Sequence, residues 1–413
     1  MRIRRRPRLP SDAPPPPVTP LRLCAALAAC AALAACQNPS EVGLGLIDDA
    51  GDDPAGRIVI AASSDTLQTT ATTAGFSSST LGAVQARVLV GSVVDPLYGD
   101  AQAVGYFDAA RPSPVPEDFA DSTIVGVQLR LVRDYVYGDT ETEHTLELRA
   151  VQGNWSPTGL PRDTTLGTGD LLTTATVAST ADEVVFDLPQ SYVSANDTTF
   201  TSDTFGSSFE GFAVSVPDGA PALPGSVLGF SSAESEVRAI TSGGDTLVYP
   251  VAEVYTRLTR GEPGTVPARQ LVQGGTNVGL ALGFDFADVM SLPLARARFK
   301  LPLDPSLGGD EGTFVRPLAT SAALFARQGD QRALLAGLTR PDTLTTDQLV
   351  SAPASGTLTS NIQRQLLGDE PFDRYEVVLP STPLSLDVLP VVTEPLDGEP
   401  AVRFVLTVVG GSV

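Results

Sequence analysis

The chain has 413 residues, 27 basic and 48 acidic side chains, and a formal net charge of −21. That balance repels nucleic acid and anionic lipid headgroups. Its three cysteines, Cys24, Cys30 and Cys36, all lie near the N-terminus and His144 is its one histidine, which excludes a His/Cys zinc site and a Cys-His nucleophile in the body of the chain.

The first element is a targeting segment. Arg2, Arg4, Arg5, Arg6 and Arg8 precede an apolar run over residues 21–35, broken only by Arg22. A run of 15 residues is too short to cross a hydrocarbon layer of about 30 Å as a helix, and its basic flank is that of an exported chain. It closes on Leu33-Ala34-Ala35-Cys36, which resembles the box of a bacterial lipoprotein signal. In such a box the small residues seat in a peptidase pocket and the cysteine sulfur takes up diacylglycerol. Leu27-Ala28-Ala29-Cys30 fits the same box, but cleavage there would leave an apolar stub, so Cys36 is the expected lipidation site. Residues 1–35 are then a signal peptide. Removing them, with six arginines and one acid, leaves 378 residues carrying 21 basic and 47 acidic side chains, a net charge near −26. With no disulfide available, the exported body must be held by its core. Acid excess with a single lysine, Lys300, also predicts a salt-rich habitat in which self-repulsion is screened.

Residues 36–56 follow as a lipidated flexible tether, polar, glycine-rich and acidic through Asp48, Asp49, Asp52 and Asp53. From Arg57 the dominant period is two. Val125, Val127, Leu129 and Leu131 alternate with polar or small residues, as do Leu146, Leu148 and Ala150, then Val184, Phe186 and Leu188, then Phe212, Val214 and Val216. Each is the pattern of a half-buried strand, and Tyr137-Gly138-Asp139, Pro217-Asp218-Gly219 and Ser242-Gly243-Gly244 read as turns between them. Residues 261–267, Gly-Glu-Pro-Gly-Thr-Val-Pro, read as a linker. Alternation resumes at Ala297, Phe299, Leu301 and Leu303, at Tyr375, Val377 and Leu379, and at Val402, Phe404, Leu406 and Val408. The one helical signal is short: Ser360 as cap, Ile362 and Leu366 on one face, Gly368 as stop. The predicted fold is all-β, with two antiparallel β-sandwich, jelly-roll-like domains at 57–260 and 268–413 behind the signal and tether.

Several motifs carry a family resemblance. Val42-Gly43-Leu44-Gly45-Leu46 follows the lipid cysteine. Leu89-Val90-Gly91-Ser92-Val93-Val94-Asp95-Pro96-Leu97-Tyr98-Gly99-Asp100 comes next, then Asp121-Ser122, Phe209-Glu210-Gly211-Phe212, and Arg269-Gln270-Leu271-Val272-Gln273-Gly274-Gly275. In this order they resemble a family of bacterial lipoproteins known as domain of unknown function 4270. The resemblance runs over most of residues 36–413 and implies an outer-membrane lipoprotein, with no catalytic residues to carry over. The N-terminal half is also similar to jelly-roll surface modules that end a strand pair in a Gly-x-Trp-Ser turn, here Gly153-Asn154-Trp155-Ser156, with Pro157 where those modules place an acid. Such modules resemble carbohydrate-binding modules.

The candidate chemistry is thin. His144, beside Glu143 at a strand start, reads as a solvated surface residue. Lys300, opposite Phe299 and Leu301, reads as exposed. Carboxylates are abundant, yet nothing singles out the pair that a glycosidase needs. Asp48 to Asp53 and Asp310-Glu311 are oxygen-rich loops that leave calcium open, although neither fits the EF-hand pattern. No cofactor is expected beyond the acyl anchor on Cys36. Trp155 could stack on a sugar ring, and Tyr135 and Tyr137 share a strand face near it, so these three are the candidate ligand-binding residues. Together these readings describe a non-catalytic protein, lipid-anchored in the outer membrane on its periplasmic or extracellular face, with a structural or accessory role beside a protein partner. Polysaccharide binding is the alternative. The accessory reading predicts a sheet edge or apolar patch that a partner covers; the glycan reading predicts an exposed aromatic strip near Trp155.

Overall fold

Alternation of apolar and polar residues makes strands wherever one face can be buried, and this chain is built almost wholly on that rule. The computed structural model describes residues 57–409, apart from 64–66, 72–86, 113–118, 120, 158–159, 162, 218–224, 276–277, 330, 342–346, 353–355, 369–371, 373, 381–382, 396–397 and 399. Cys36 and the tether lie outside the described residues, as do Asp48 to Asp53.

The strands run β1 (Arg57–Ala61), β2 (Gln68–Ala71), β3 (Arg87–Val93), β4 (Ala101–Ala109), β5 (Ile124–Asp139), β6 (Glu143–Val151), β7 (Thr168–Ala178) and β8 (Glu183–Asp187). Two helices follow, α1 (Gln190–Thr201) and α2 (Phe205–Ser208). Next come β9 (Phe212–Ser215), β10 (Ser226–Ser231), β11 (Glu236–Thr241), β12 (Thr246–Arg260), β13 (Arg269–Gln273), β14 (Val278–Leu282), β15 (Leu294–Pro302), β16 (Gly309–Glu311), β17 (Phe314–Arg316), β18 (Ser321–Gln328), β19 (Gln331–Thr339) and β20 (Gln348–Ser351). The chain ends with α3 (Gly356–Leu366), β21 (Arg374–Val378), β22 (Val388–Val392) and β23 (Arg403–Val408). Every pairing between these strands is antiparallel, and the fold is all-β.

Two large sheets carry the architecture, and both return on themselves. In the first, β4, β12, β11, β5, β10 and β3 pair in succession, and β3 pairs with β4 again. The long strands β5 and β12 make this closure by changing partners along their length. β12 pairs with β11 up to Pro250 and with β4 from Val251. The branch β9-β6-β7 extends from β4. In the second sheet the order is β1-β23-β15-β20-β19-β18-β21-β14-β2. Its two end strands belong to one short segment, residues 57–71. Between them Ala62 bridges Phe284, and the Ser63 N–H donates to the Gly283 carbonyl at 2.9 Å. That segment therefore spans the gap between β23 and β14. The ribbon β13-β22 stands apart as a two-stranded sheet.

The cores follow the closures. The first encloses Val127, Leu129 and Leu131 of β5, Leu146 and Leu148 of β6, and an aromatic group in which Phe205 stacks on Phe209, 4.9 Å between ring centroids. The second centres on Phe299, Tyr375 and Phe404, with Leu358, Ile362 and Leu366 of α3 packed in from one side. A third cluster links residues of both halves of the chain: Leu89, Tyr98, Tyr135 and Tyr137 with Leu271, Leu386 and Val388. The described body from Arg57 onward belongs to one compact unit. The chain leaves the first sheet after Arg260 and enters the second at Val278. Two segments run against that order: 57–71 joins the second sheet, and the hairpin β16-β17 joins the first through Phe314 and Val315 on β5.

Two local expectations change. The helix α3 starts at Gly356, because Leu358 joins Ile362 and Leu366 in a stripe at four-residue spacing. Ser360 therefore sits within the helix, its hydroxyl donating to the Thr357 carbonyl at 3.1 Å, while Gly368 supplies the left-handed stop at φ 80°. The helix α1 was not expected at all. It follows Pro189 and is held by burial of Val193 and Phe200, seven residues apart on one face.

Candidate functional site

A cleft opens between β3 and β5 of the first sheet and the connections 317–321 and 379–387 of the second half. Its volume is about 320 Å³, at the small end of ligand pockets, which span roughly 300–1,000 Å³. Arg87, Tyr135, Thr320, Ser321, Ser385 and Asp387 are its polar lining, with Pro317, Pro380 and Pro383 as stiff apolar walls.

A bulge places Tyr135 here. Gly229 of β10 faces Tyr135, but the next residue, Phe230, faces Arg133, so β5 carries one extra residue, Asp134. An inserted residue reverses which side chains face which way. Val127, Leu129 and Leu131 point into the first core, whereas Tyr135 and Tyr137 point out of it, into the cluster between the halves. The bulged Asp134 takes Arg87 in a two-pronged pair, Nε at 2.7 Å and the second nitrogen at 3.0 Å. The same guanidinium lies 4.7 Å from the centre of the Tyr135 ring and donates to the Leu384 carbonyl at 3.2 Å. The Tyr135 hydroxyl accepts from the Leu386 N–H at 3.0 Å and donates to Asp387. Burial raises the Asp387 pKa, offset in part by hydrogen bonds from Ser385 and Tyr135 and by the charge of Arg87. Burial also drives the Tyr135 hydroxyl well above its ordinary value. The cleft thus offers hydroxyls, one carboxyl of raised pKa and an engaged guanidinium. That chemistry can hold a small polar group.

The other candidate residues lie elsewhere. Tyr137 shares its face with Tyr135, as the spacing predicts, but is wholly buried. Its hydroxyl donates to Asp95 Oδ2 at 2.5 Å. Trp155 belongs to a satellite cluster with Tyr106, Val151, Ala213 and Tyr255. Its ring meets Tyr106 edge-on at 6.4 Å, and its N–H donates to the Glu210 carbonyl at 2.9 Å. The three aromatics are therefore not brought together as one strip: a bulge and a core separate them. His144 is not solvated, contrary to expectation. It is buried, and Nε2 lies 2.6 Å from the Ser226 hydroxyl and 3.1 Å from that of Ser179. Its pKa is lowered by burial, against a smaller opposing pull from Asp139. Ser226 and Ser179 have no exposed surface, so this histidine–serine contact packs the interior and meets no substrate. Lys300 is half-buried on the outer face of β15. Asp310 and Glu311 fall in β16. Among the described residues no three His, Cys, Asp or Glu side chains converge as a metal site requires.

The motif 89–100 proves to be a joint. Asp95 is buried and accepts from Leu97 N–H at 2.8 Å and Tyr98 N–H at 3.2 Å, which shapes the turn. Both its oxygens also meet Arg316, at 2.9 and 3.3 Å, from the opposite half of the chain. Tyr98 reaches the Leu307 carbonyl at 3.2 Å. Gly99, at φ 85°, lies where a Cβ would come within 2.6 Å of the Gly261 carbonyl oxygen, so only glycine fits.

A second surface feature is the edge strand β7. Among the described residues it pairs only with β6. Of its 11 residues only Val177 is buried and only Asp170 is charged, and Leu171 is 43% exposed. No helix among the described residues is long and apolar enough to cross a membrane. No protein-family model and no curated protein matches this chain.

Proposed function

We propose that this is a lipid-anchored envelope protein, held in the outer membrane through Cys36, which serves without catalysis as an accessory subunit of a surface protein complex. The observation that carries the reading is β7. Long strand edges are normally guarded by lysine, proline or a covering segment, because their free N–H and C=O groups recruit other chains. β7 has neither residue, and its threonine, leucine and alanine side chains suit addition of a partner strand. The signal-like N-terminus, the tether and the resemblance to lipoproteins of domain of unknown function 4270 support the location.

The test is a mild-detergent pull-down from native membranes, with Thr173→Pro and Thr174→Pro as single variants. Neighbouring strand residues point their N–H groups to opposite edges, so one of the two prolines blocks the free edge without costing a bond to β6. A stoichiometric partner that this variant loses supports the reading. A monomer with no partner removes it. Mass spectrometry of the mature N-terminal peptide tests Cys36 separately, by the mass of the acyl groups.

A glycan-binding reading keeps one observation in its favour, the cleft. Tyr135, Ser321, Ser385 and a carboxyl of raised pKa suit the hydroxyls of a single sugar unit better than a long polymer.

A further inference from the structure

Charge is not spread evenly over this acidic chain. The strands of the second sheet carry eight basic side chains and a single acid, Glu376. Five of the eight share one patch. β15 buries Ala297, Phe299 and Leu301, so Arg296, Arg298 and Lys300 point to the outer face. Register then extends this face over two neighbours. Arg296 pairs with Thr407, which pairs with Arg57; Arg298 pairs with Val405, which pairs with Val59; Lys300 pairs with Arg403, which pairs with Ala61. Residues opposite each other in antiparallel strands lie on one face. The result is a three-by-three patch with five cations, no carboxylate, and Val59, Val405 and Ala61 between them. None of the nine is buried.

We propose that this face seats the protein on the anionic phospholipid headgroups of the membrane that carries its anchor, an inference that rests on the lipid-anchored reading. Three considerations select that occupant. The first is complementarity: clustered Lys and Arg attract anionic headgroups, and small apolar side chains between them suit the headgroup boundary. The second is position. Arg57 is a corner of the patch and also the residue at which the tether ends. Twenty residues separate Cys36 from Arg57, a length that reaches at most about 70 Å when fully extended, and this bounds the distance between the patch and a lipid on Cys36. The third is orientation. The chain as a whole carries 48 acidic against 27 basic side chains and is repelled by the same headgroups, so a face with five cations is favoured to turn toward them. The five cations have polar contacts of their own; Arg403, for example, donates to the Pro400 and Ala401 carbonyls at 2.5 and 3.2 Å. The cations are half-buried, and Nε of Arg57, Arg296, Arg298 and Arg403 is shielded from solvent, so headgroup phosphates would meet this face through the outer ends of the side chains.

The test uses the unlipidated chain from residue 37 onward, which retains the entire compact body. It is floated with vesicles of phosphatidylglycerol and phosphatidylcholine in equal parts, and with phosphatidylcholine alone. Binding to the anionic vesicles is expected to be at least about tenfold tighter and to disappear at high salt. The Arg296→Gln/Arg298→Gln/Lys300→Gln variant should lose about a hundredfold. Should that variant unfold, Arg57→Gln/Arg403→Gln reads the same patch from its other strands. Arg130→Gln/Arg238→Gln, on the first sheet, should bind as the parent does. Equal binding to both vesicle types, or unchanged binding by the patch variants, overturns the proposal. So does capture of a soluble sulfated polysaccharide without vesicle binding, which would make the occupant a polyanionic glycan. Because lipid is absent from the protein in this experiment, a failed lipidation assay on Cys36 and a failed flotation remain separate results.

Discussion

The two large sheets solve one problem in different ways. The first closes with its own material: β5 and β12 are 16 and 15 residues long and cross from one set of partners to another. The second is built from shorter strands, and a segment from the far N-terminal side bridges its ends. Their charges differ as much. The strands of the first hold eight basic and twelve acidic side chains, with cross-strand pairs such as Arg130 with Glu183, while those of the second hold eight and one. A chain with net charge −21 therefore does not have a uniformly repelling surface. The expectation of general repulsion from anionic headgroups treats the sum of the charges as their distribution.

Four perturbations sharpen the contrast. The largest effect should follow deletion of residues 57–71. It removes buried Ile60 and Leu67 from the second core, worth about 3–6 kcal/mol together, and leaves β14 and β23 unpaired on one edge. Hydrogen exchange should accelerate in β14, β21 and β23 while β5 and β10 stay protected. Equal loss in both sheets would mean that they unfold as one. Next is Arg316→Met. It strands the Asp95 carboxylate in the joint between the halves, and breaking a buried pair costs about 3–5 kcal/mol. Denaturant unfolding should show the loss, and Tyr137→Phe should show a smaller one of about 1–3 kcal/mol. The smallest effect belongs to the first sheet alone. Asp108 on β4 is raised from 3.8 to about 6, chiefly by burial, with Glu253 opposite adding repulsion. A carboxyl raised on folding contributes stability below pH 4 that is lost as pH climbs through about 6. Asp108→Asn should therefore flatten the stability profile between these values by about 1 kcal/mol or less, given the group's partial exposure. An unchanged profile would show that Asp108 does not titrate there.

Much of the fold could be read from period two. Val184 and Phe186 are buried between exposed Glu183, Val185 and Asp187, as the alternation predicts. The helix α1 could not be read this way: Ser, Asn, Asp and Thr fill much of it, and Val193 and Phe200, with Tyr192 packed beside them, tie it to the core. Such residues favour turns and caps by local propensity, and tertiary packing overrides it. Tyr135, singled out in the sequence beside Trp155, lines a cleft without Trp155; its direction depends on the bulge at Asp134, and one extra residue leaves no compositional trace. His144 looked solvated because Glu143 is its neighbour; its serine partners lie 35 and 82 residues away in sequence. The basic patch has the same cause. Arg296, Arg298 and Lys300 announce an outward face, but Arg57 and Arg403 join it only through strand register.

The segment 57–71 also determines how the molecule bears load. Any tension transmitted through the residues before Arg57 enters at β1, whose five residues are all in register with β23. A pull along the strand axis stresses those bonds together, in shear, whereas a pull across it opens them one after another. Under the proposed anchoring, the direction of pull would decide whether β1 acts as a clamp or as a zipper.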